Sequence, residues 1–222
     1  MKQHTDKVQG VTFHPYEASI LASCSYDHTA CVFDCRCASY GSVYKLPVDP
    51  ESIEWDPYNP YNLYIAMEDG SMINYDIRNN TQAVYKCKLH DSNCTSIKFN
   101  PEYKGLMASC GNNCVKLWDM RNNQCTCVGE NTMDVETLYG MNWYPSAPHI
   151  IGCGGSDERI CIWDVQETCD VLSKFEHVNA QNPNDLSFSV SEEAKGEVTD
   201  LHEGPNSNKD KKSKKGKKGK KN

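Results

Sequence analysis

Residues 96–119 read SIKFNPEYKGLMASCGNNCVKLWD and hold the local pattern that decides the fold. Phe99-Asn100-Pro101 predicts the end of a strand, because proline has no N–H to donate to a β-ladder. The apolar run Leu106–Ser109 predicts a second strand. Asn112-Asn113 predicts a tight hairpin turn, since asparagine tolerates a left-handed backbone. An alternating run ending at Trp118-Asp119 predicts a third strand that pairs back on the second.

The same pattern occurs four times along the chain. The prolines that end the first strand follow one another at steps of 42, 44 and 44 residues, and the closing aspartates at steps of 42, 43 and 45. Within the repeats, proline and aspartate are separated by 19, 19, 18 and 19 residues. Chance does not produce two marks with so regular a spacing. The paired marks are Pro15 and Asp34, Pro57 and Asp76, Pro101 and Asp119, and Pro145 and Asp164.

Four short strands in 40–45 residues, ending in Trp-Asp, are typical of one β-propeller blade. We therefore predict an all-β propeller of about four four-stranded blades. The blades should cover residues 4–43, 44–86, 87–130 and 131–177, with a looser fourth strand such as residues 83–87 before the next repeat.

The number of blades bears on how the propeller closes. Closed propellers have four to eight blades. We interpret residues 1–177 as part of a larger propeller, with a four-bladed ring as the alternative. An open arc would leave blade faces exposed and strand edges unpaired, and both features favour association.

These motifs resemble the WD-repeat β-propeller family over roughly residues 4–177. The resemblance implies a hydrogen-bonded network in each blade, made by a His before the first strand, a Ser or Thr, a turn Asp and the Trp. All four repeats depart from the full set: Phe33 replaces the Trp in repeat one, and repeats two and four lack the His. By position, the network residues are His4, Ser23 and Asp27; Asp69 and Tyr75; His90, Ser109, Asn112 and Trp118; and Asp157 and Trp163.

Further marks resemble the periodic tryptophan protein 1 group within that family. They include Ser25-Tyr26-Asp27, Asp34-Cys35-Arg36, Glu68-Asp69-Gly70 and Gly154-Gly155. The resemblance implies a nuclear and nucleolar factor in ribosome biogenesis, chiefly in ribosomal RNA processing and large-subunit assembly. It also implies a link to the chromatin of ribosomal RNA genes.

The net charge of -7 averages two unlike parts of the chain. Residues 209–222 hold nine Lys and one Asp and carry +8, so the remaining residues carry -15. Residues 178–208 are polar and acidic with few aromatics, a composition that predicts a disordered linker. No run approaches the roughly 18 apolar residues of a membrane helix, and residues 1–20 lack the apolar core of a secretory signal.

The lysine-rich C-terminal tail is the clearest functional signal outside the repeats. Dense lysine on a flexible chain attracts nucleic-acid phosphates without reading sequence, and it also fits a nuclear-localisation patch. The alternative is a tail that only improves solubility. Its cations are Lys209, Lys211, Lys212, Lys214, Lys215, Lys217, Lys218, Lys220 and Lys221.

Thirteen cysteines raise the question of metal binding or disulfides. An odd number without an export signal favours reduced thiols, many of them filling the interior as small hydrophobes. The pairs Cys35/Cys37 and Cys125/Cys127 are spaced too closely for a usual zinc site and fall two blades apart, so we expect no metal or other cofactor. The recurring His, Ser and Asp occupy one structural position per blade, and no catalytic motif is present. We therefore predict a non-enzyme without a small-molecule substrate.

Three repeats end in Asp-x-Arg, which includes Asp34-Cys35-Arg36. In some WD-repeat proteins, an Asp followed six residues later by an aromatic-Asp-x-Arg docks to the adaptor of a cullin-RING ubiquitin ligase. The alternative for each Arg is a local ion pair. The candidate docking residues are Asp69, Tyr75, Asp76 and Arg78 in repeat two, and Trp118, Asp119 and Arg121 in repeat three, where Asn112 replaces the first Asp.

Our prediction is a scaffold whose partners are proteins of a multi-subunit assembly such as a pre-ribosomal particle. RNA or other nucleic acid is a further expected partner through the tail, and a membrane is not. We expect location in the nucleus, including the nucleolus, with the cytoplasm as the alternative. The rival functions are a ligase substrate receptor and a chromatin- or histone-binding propeller.

Overall fold

The computed structural model describes residues 2–37, 41–79, 82–121, 124–168 and 170–178, all of which lie in one compact unit. Within these residues, the strands form four antiparallel sheets, each built from consecutive strands. Each sheet corresponds to one repeat, so the predicted all-β propeller blades are confirmed.

The first two blades have four strands each. In both, neighbouring strands in the sheet are neighbours along the chain, as short hairpin connections require. Blade 1 contains β1 (Val8–Phe13), β2 (Ile20–Ser25), β3 (Thr29–Asp34) and β4 (Gly41–Lys45), and blade 2 contains β5 (Pro50–Asp56), β6 (Asn59–Met67), β7 (Ser71–Asp76) and β8 (Tyr85–Lys88).

The third blade has four strands, and the fourth has three among the described residues. Blade 3 contains β9 (Ser96–Phe99), β10 (Leu106–Gly111), β11 (Cys114–Asp119) and β12 (Thr126–Thr132). Blade 4 contains β13 (Leu138–Tyr144), β14 (Ala147–Gly155) and β15 (Ile160–Asp164), followed by the single-turn helix α1 (Val165–Thr168) and a 3-10 turn at Leu172–Lys174.

After blade 4, the chain returns to blade 3. Val171, Leu172 and Phe175 are buried in the core that blades 3 and 4 share. The backbone N–H of Lys104 donates to the Glu176 carbonyl at 3.1 Å, and the N–H of Val178 donates to the Glu102 carbonyl at 2.6 Å. Residues 170–178 therefore bind the loop between β9 and β10 of blade 3.

The blades pack in sequence order around their inner strands. β1 lies beside β5, β5 beside β9, and β9 beside β13. Three apolar cores fill the joints between blades 1 and 2, 2 and 3, and 3 and 4. In the described part of the chain, β13 does not pack against β1 in this way, so the four blades form an open arc.

Indole hydrogen bonds cross two of the joints. Trp55 Nε1 donates to the Thr12 carbonyl at 3.4 Å, and Trp143 Nε1 donates to the Lys98 carbonyl at 3.0 Å. In blades 2, 3 and 4, the large aromatic two residues before the proline that ends the first strand therefore points toward the preceding blade. We call this side of a blade its leading face, and the side toward the next blade its trailing face.

The unequal spacing of proline and aspartate in the repeats has its origin in one hairpin turn. Blades 1 and 2 join their second and third strands through three residues, and His28 and Gly70 take positive φ values of 58° and 76° at the third of them. Blade 3 uses the two residues Asn112 and Asn113, with Asn112 at φ 48°. The spacing of 18 in repeat three therefore reflects a turn one residue shorter.

The twelve cysteines in the described residues are all free thiols. Cys24, Cys31, Cys94, Cys110 and Cys153 are buried in or beside the joints. Among the residues that the structure covers, no helix is long and apolar enough to cross a bilayer.

Candidate protein-docking site

Three arginines at equivalent places form a row on one rim of the arc. Arg36, Arg78 and Arg121 follow the third strand of blades 1, 2 and 3, so they lie at the same end of each blade. In blade 4, Gln166 takes this place, and its backbone N–H makes the same bond to the aspartate two residues earlier, 2.9 Å to Asp164 Oδ1. We call the three arginines the rim arginines.

Each rim arginine folds back onto the aspartate two residues before it. Arg36 Nη2 lies 2.5 Å from Asp34 Oδ2, and the same distance is 2.6 Å in the Arg78–Asp76 and Arg121–Asp119 pairs. The backbone N–H of each arginine also donates to Oδ1 of its aspartate, at 2.9 to 3.0 Å. These are the local ion pairs that stood as the alternative to docking.

The charge-assisted bonds shift the pKa values of both partners. Hydrogen bonds from the Arg78 guanidinium lower the pKa of Asp76, and those from Arg121 lower the pKa of Asp119. The same bonds raise the pKa values of Arg78 and Arg121. The rim therefore presents planar guanidinium groups held at fixed orientation by their own aspartates.

Ring stacking orients two of the rim arginines further. The Arg78 guanidinium lies 4.3 Å from the centroid of the Tyr61 ring, and that of Arg121 lies 4.5 Å from the centroid of Phe175. Arg121 Nη1 also donates to the Lys174 carbonyl at 3.0 Å. Sequence analysis missed both rings. For Phe175 the reason is that nothing in the local repeat pattern places residue 175 against blade 3.

The candidate ligase-docking residues of repeat two do not share one surface. Asp69 precedes β7 and Asp76 ends it, so a strand rise of about 3.3 Å per residue separates them by roughly 20 Å. Asp69 accepts hydrogen bonds from the backbone N–H and hydroxyl of Ser71, and Tyr75 is buried, where its hydroxyl donates to the Lys45 carbonyl at 2.8 Å. Only Asp76 and Arg78 reach the rim.

Blade 3 brings three of its four candidate network residues together. His90 Nε2 lies 2.7 Å from Ser109 Oγ, and Trp118 Nε1 donates to the same oxygen at 2.8 Å. All three side chains are buried. Asn112 lies apart, where its backbone N–H donates to Asn93 Oδ1 at 3.3 Å. Burial, together with the positive charge of Lys116, lowers the pKa of His90 to about 4.

Blade 1 joins its His, Ser and Asp without the Trp. His4 Nε2 lies 2.7 Å from Ser23 Oγ, and His4 Nδ1 lies 3.0 Å from Asp27 Oδ2. The Thr29 hydroxyl donates to Asp27 Oδ1 at 2.6 Å, and the Thr5 N–H donates to Oδ2 at 2.9 Å. Burial alone would raise the pKa of Asp27, but these hydrogen bonds outweigh it and lower the pKa to about 2.

The remaining candidate residues, Asp157 and Trp163, both lie in blade 4. Asp157 accepts from the Glu136 N–H at 3.0 Å and from the Ser156 hydroxyl at 2.8 Å. Trp163 is buried in the core between blades 3 and 4. The hydroxyl two residues after the turn aspartate, Thr29 or Ser71, was missed by sequence analysis, although the Asp-x-Thr/Ser spacing signals it.

One buried side chain in blade 2 conflicts with its surroundings. Asn74 is fully buried at the position that Leu117 occupies in blade 3, and neither the nitrogen nor the oxygen of its side-chain amide has a hydrogen-bond partner among the residues that the structure describes. An unsatisfied buried amide costs about 1–3 kcal/mol of folding free energy, so Asn74 destabilises blade 2.

Neither a metal centre nor the nucleic-acid tail can be assigned from the geometry. The described residues contain no group of three or more His, Cys, Asp or Glu side chains placed to hold a metal ion. Cys35 and Cys37 lie in blade 1 and Cys127 in blade 3, all exposed. The linker from residue 179 onward and the tail at 209–222 lie outside the described residues.

Comparison with known protein families agrees with the blade architecture. The family model of the WD domain, G-beta repeat, matches residues 1–34 and 81–119, which are the repeats whose His and Ser meet in the structure. Blades 1 and 3 therefore contain WD repeats, and the four blades have the arrangement of a WD-repeat propeller. In such a propeller, the rims and faces of the blades are the surfaces available for partners.

Several curated WD-repeat proteins are similar to the chain. Periodic tryptophan protein 1 homolog of Drosophila melanogaster is 26% identical over 76% of this chain and 38% of its own length. GATOR2 complex protein WDR24 of Homo sapiens is 25% identical over 85% of this chain and 25% of its own length. DDB1- and CUL4-associated factor 13 of Xenopus laevis is 24% identical over 81% of this chain and 40% of its own length. The chain thus spans less than half of each relative.

Proposed function

We propose that this WD-repeat chain is a non-catalytic scaffold in nuclear ribosome biogenesis, acting in ribosomal RNA processing and large-subunit assembly. The observation that carries the proposal is its similarity to the periodic tryptophan protein 1 homolog, with which it shares 26% identity over 76% of its length. The resemblance of its sequence marks to that group implies this role. The protein partners would be other components of a pre-ribosomal particle.

The rim arginines supply a surface suited to such partners. Their guanidinium groups are exposed, regularly spaced by blade and already oriented by aspartates and rings. A preorganised arginine loses little side-chain freedom when it binds a carboxylate or phosphate. The lysine tail would add sequence-independent attraction to RNA.

The tail is tested by changing its charge without changing its length. Replacing its nine lysines by glutamine should abolish nucleolar accumulation and RNA binding, whereas replacement by arginine should preserve both. For single-stranded RNA, the logarithm of the binding constant should fall with the logarithm of salt concentration with a slope of about -6, if all nine cations neutralise phosphates. Unchanged localisation and RNA binding in the glutamine variant would refute a role for the tail.

A second candidate function is that of a cullin-RING ligase substrate receptor. It is favoured by the exposed Asp76–Arg78 and Asp119–Arg121 pairs, and by similarity to a protein named as DDB1- and CUL4-associated. Reversing the charges of Arg78 and Arg121 to Glu should then abolish capture of the ligase adaptor. Arg159→Glu is the matched control, because Arg159 is exposed in the hairpin turn at the opposite end of blade 4. Equal adaptor capture by all variants would eliminate this candidate, and histone-peptide binding tests the chromatin alternative.

A further inference from the structure

Two half-buried thiols meet in the joint between blades 2 and 3, inside the arc. Cys87 lies on β8, the fourth strand of blade 2, and Cys125 directly precedes β12, the fourth strand of blade 3. Both pack against the apolar core that fills this joint. From this arrangement, we propose that Cys87 and Cys125 form a modification site for hydroperoxides, at which oxidation joins the two sulfurs in a reversible disulfide.

The two thiols are already in contact. The side chains of Cys87 and Cys125 are hydrogen-bonded to each other, although they are 38 positions apart in the sequence. β8 and β12 are the edge strands of their sheets, so the contact connects the outer edges of two neighbouring blades. Two cysteines can be bridged only when their side chains point toward each other at short range, and this pair meets that condition.

The hydrogen bond makes Cys87 the more nucleophilic of the two thiols. The S–H of Cys125 donates to the sulfur of Cys87 and stabilises its thiolate, so the pKa of Cys87 is lowered even though burial opposes this. The same bond, together with burial, raises the pKa of Cys125. Thiolates are the species that attack peroxides, so Cys87 reacts first and Cys125 resolves the product. Half-burial leaves both residues accessible to a small oxidant.

The oxidation proceeds in two balanced steps. The Cys87 thiolate attacks one oxygen of the hydroperoxide and becomes a sulfenic acid, while the O–O bond breaks and the leaving oxygen takes up the proton that Cys87 had released. The Cys125 sulfur then attacks the Cys87 sulfur, so that the S–S bond forms, the S–O bond breaks and water leaves with the Cys125 proton. With hydrogen peroxide, two thiols give one disulfide and two waters. A thiol reductant reverses the reaction by exchange.

Neighbouring thiols lack one of the features that this pair combines. Cys94 and Cys110 are buried, and burial raises the pKa values of both, that of Cys110 to about 11. Cys127 is exposed two residues beyond Cys125, and its thiol donates to the Gly129 carbonyl at 3.6 Å. We therefore expect oxidation to select Cys125 over Cys127.

A second pair of contacting thiols provides a comparison within the same chain. Cys153 and Cys161 lie opposite each other on β14 and β15 of blade 4. Burial raises the pKa of Cys153 to about 12, so this thiol stays protonated at neutral pH. A disulfide there would join two strands that are already paired in one sheet. The pair between blades 2 and 3 should therefore be oxidised first.

The disulfide should hold the joint between blades 2 and 3 closed. The backbone N–H of Ile97 in blade 3 donates to Ser52 Oγ in blade 2 at 3.4 Å, so its hydrogen exchange reports on opening of this joint. Because a covalent link restricts the opened states, oxidation should slow exchange at Ile97. The N–H of Leu138 donates to the Asn112 carbonyl across the joint between blades 3 and 4 and is the matched control. Its exchange should not change.

The test is mild oxidation of the reduced full chain with hydrogen peroxide. The remaining thiols are then alkylated, and the peptides are analysed by mass spectrometry without reductant. Trypsin releases Cys87-Lys88 as a dipeptide, so the disulfide should attach it to the fragment of residues 122–159. Dithiothreitol should detach it. Because that fragment contains three cysteines, variants identify the one that pairs.

Single substitutions assign the role of each thiol. Cys125→Ser should abolish the attachment and leave Cys87 as a sulfenic acid, which dimedone traps. Cys87→Ser should abolish the disulfide and leave little dimedone adduct on Cys125. Cys127→Ser is the matched control, because this exposed thiol lies two residues from Cys125, and it should form the disulfide at the wild-type rate. Circular dichroism verifies that each variant is folded.

Three results would overturn the proposal. They are the absence of the linked peptide from the wild-type chain after exposed Cys35 has been oxidised, attachment that persists in Cys125→Ser, and unchanged exchange at Ile97 in the fully cross-linked chain. The first and third need no variant, so they hold even if a substitution prevents folding. None of these outcomes depends on ribosome biogenesis.

Discussion

Single residues in the blades combine burial with polarity, and His90 is the clearest case. Its ring is buried within 2.7 Å of the Ser109 hydroxyl, and its pKa is about 4 instead of the ordinary 6.5. Protonation would place an unsolvated positive charge near Lys116, so the folded state keeps His90 neutral. The unfolded chain binds this proton more readily.

The free energy of unfolding should therefore depend on pH through His90. The contribution is fully present above pH 6.5 and is lost as the pH falls toward 4, on the order of 3 kcal/mol over the whole window. His90→Gln keeps a hydrogen-bonding group but removes the titration. Chemical denaturation at several pH values should show a flatter profile for this variant between pH 6.5 and 4. If the free energy of unfolding of the variant depended on pH as steeply as that of the wild type, His90 would not be the cause of the pH dependence.

The hydrogen bonds that the repeat pattern predicts around its serine form completely in blade 3 and only partly in blade 1. The Ser109 hydroxyl serves both His90 and Trp118, whereas Ser23 in blade 1 meets His4 but faces Phe33, which has no donor. Residue types at repeat positions could be read from the sequence. Asn112 shows the limit, because the shorter turn of blade 3 moves it out of reach of His90, and only the register reveals that.

At the scale of the elements, the hairpin turns between second and third strands differ in strain. Gly70 accepts its positive φ of 76° without a steric penalty, but Glu158 holds φ 58° with a full side chain. A left-handed conformation costs an ordinary L-residue about 1–2 kcal/mol. The turns of blades 2 and 4 thus both contain a left-handed residue, which is an unstrained glycine in blade 2 and a strained glutamate in blade 4.

Glu158→Gly should raise the free energy of unfolding by about 1 kcal/mol, because glycine removes the penalty at this φ. Urea denaturation followed by tryptophan fluorescence would measure the gain. Glu136→Gly is the control, since Glu136 is exposed in the loop before β13 and has no positive φ. A loss of stability in the Glu158 variant would contradict the strain that we assign to this turn.

The positions of the rim arginines are set by the strands that precede them. Their spacing follows from the end of the third strand in each blade, and their aspartates follow from the repeat. Local ion pairing could be foreseen from Asp-x-Arg, since two residues across a tight bend lie within reach. The split between Asp69 and Asp76 could have been foreseen from strand length, but the docking hypothesis treated them as one surface.

At the scale of the whole molecule, residues 170–178 connect the end of blade 4 to blade 3. Phe175 is buried, packs in the core between these blades and supports the Arg121 guanidinium. This contact joins residues that are far apart in sequence. It links the position of a rim arginine to the packing of the chain beyond the last blade.

Phe175→Ala should lower the free energy of unfolding by about 3 kcal/mol, because a large buried ring is lost. Hydrogen exchange should also accelerate at the N–H groups of Lys104 and Val178, which bond across this contact. Val84→Ala, at an exposed valine, should change neither quantity. Full protection of Lys104 and Val178 in the Phe175 variant would show that the backbone bonds hold this segment alone.

The amino-acid sequence by itself determined the strands and the turns, because each depends on residues within about twenty positions of one another. The return of the same proline and aspartate every 42 to 45 residues determined the blade period. Proline and the turn residues act on their own backbone, and alternation places side chains on one face of their own strand. The tertiary structure decided which faces are covered, since burial depends on the neighbouring blade. Phe13 and Trp55 occupy the same place in the repeat, and only the open arc leaves one in solvent and the other in the core.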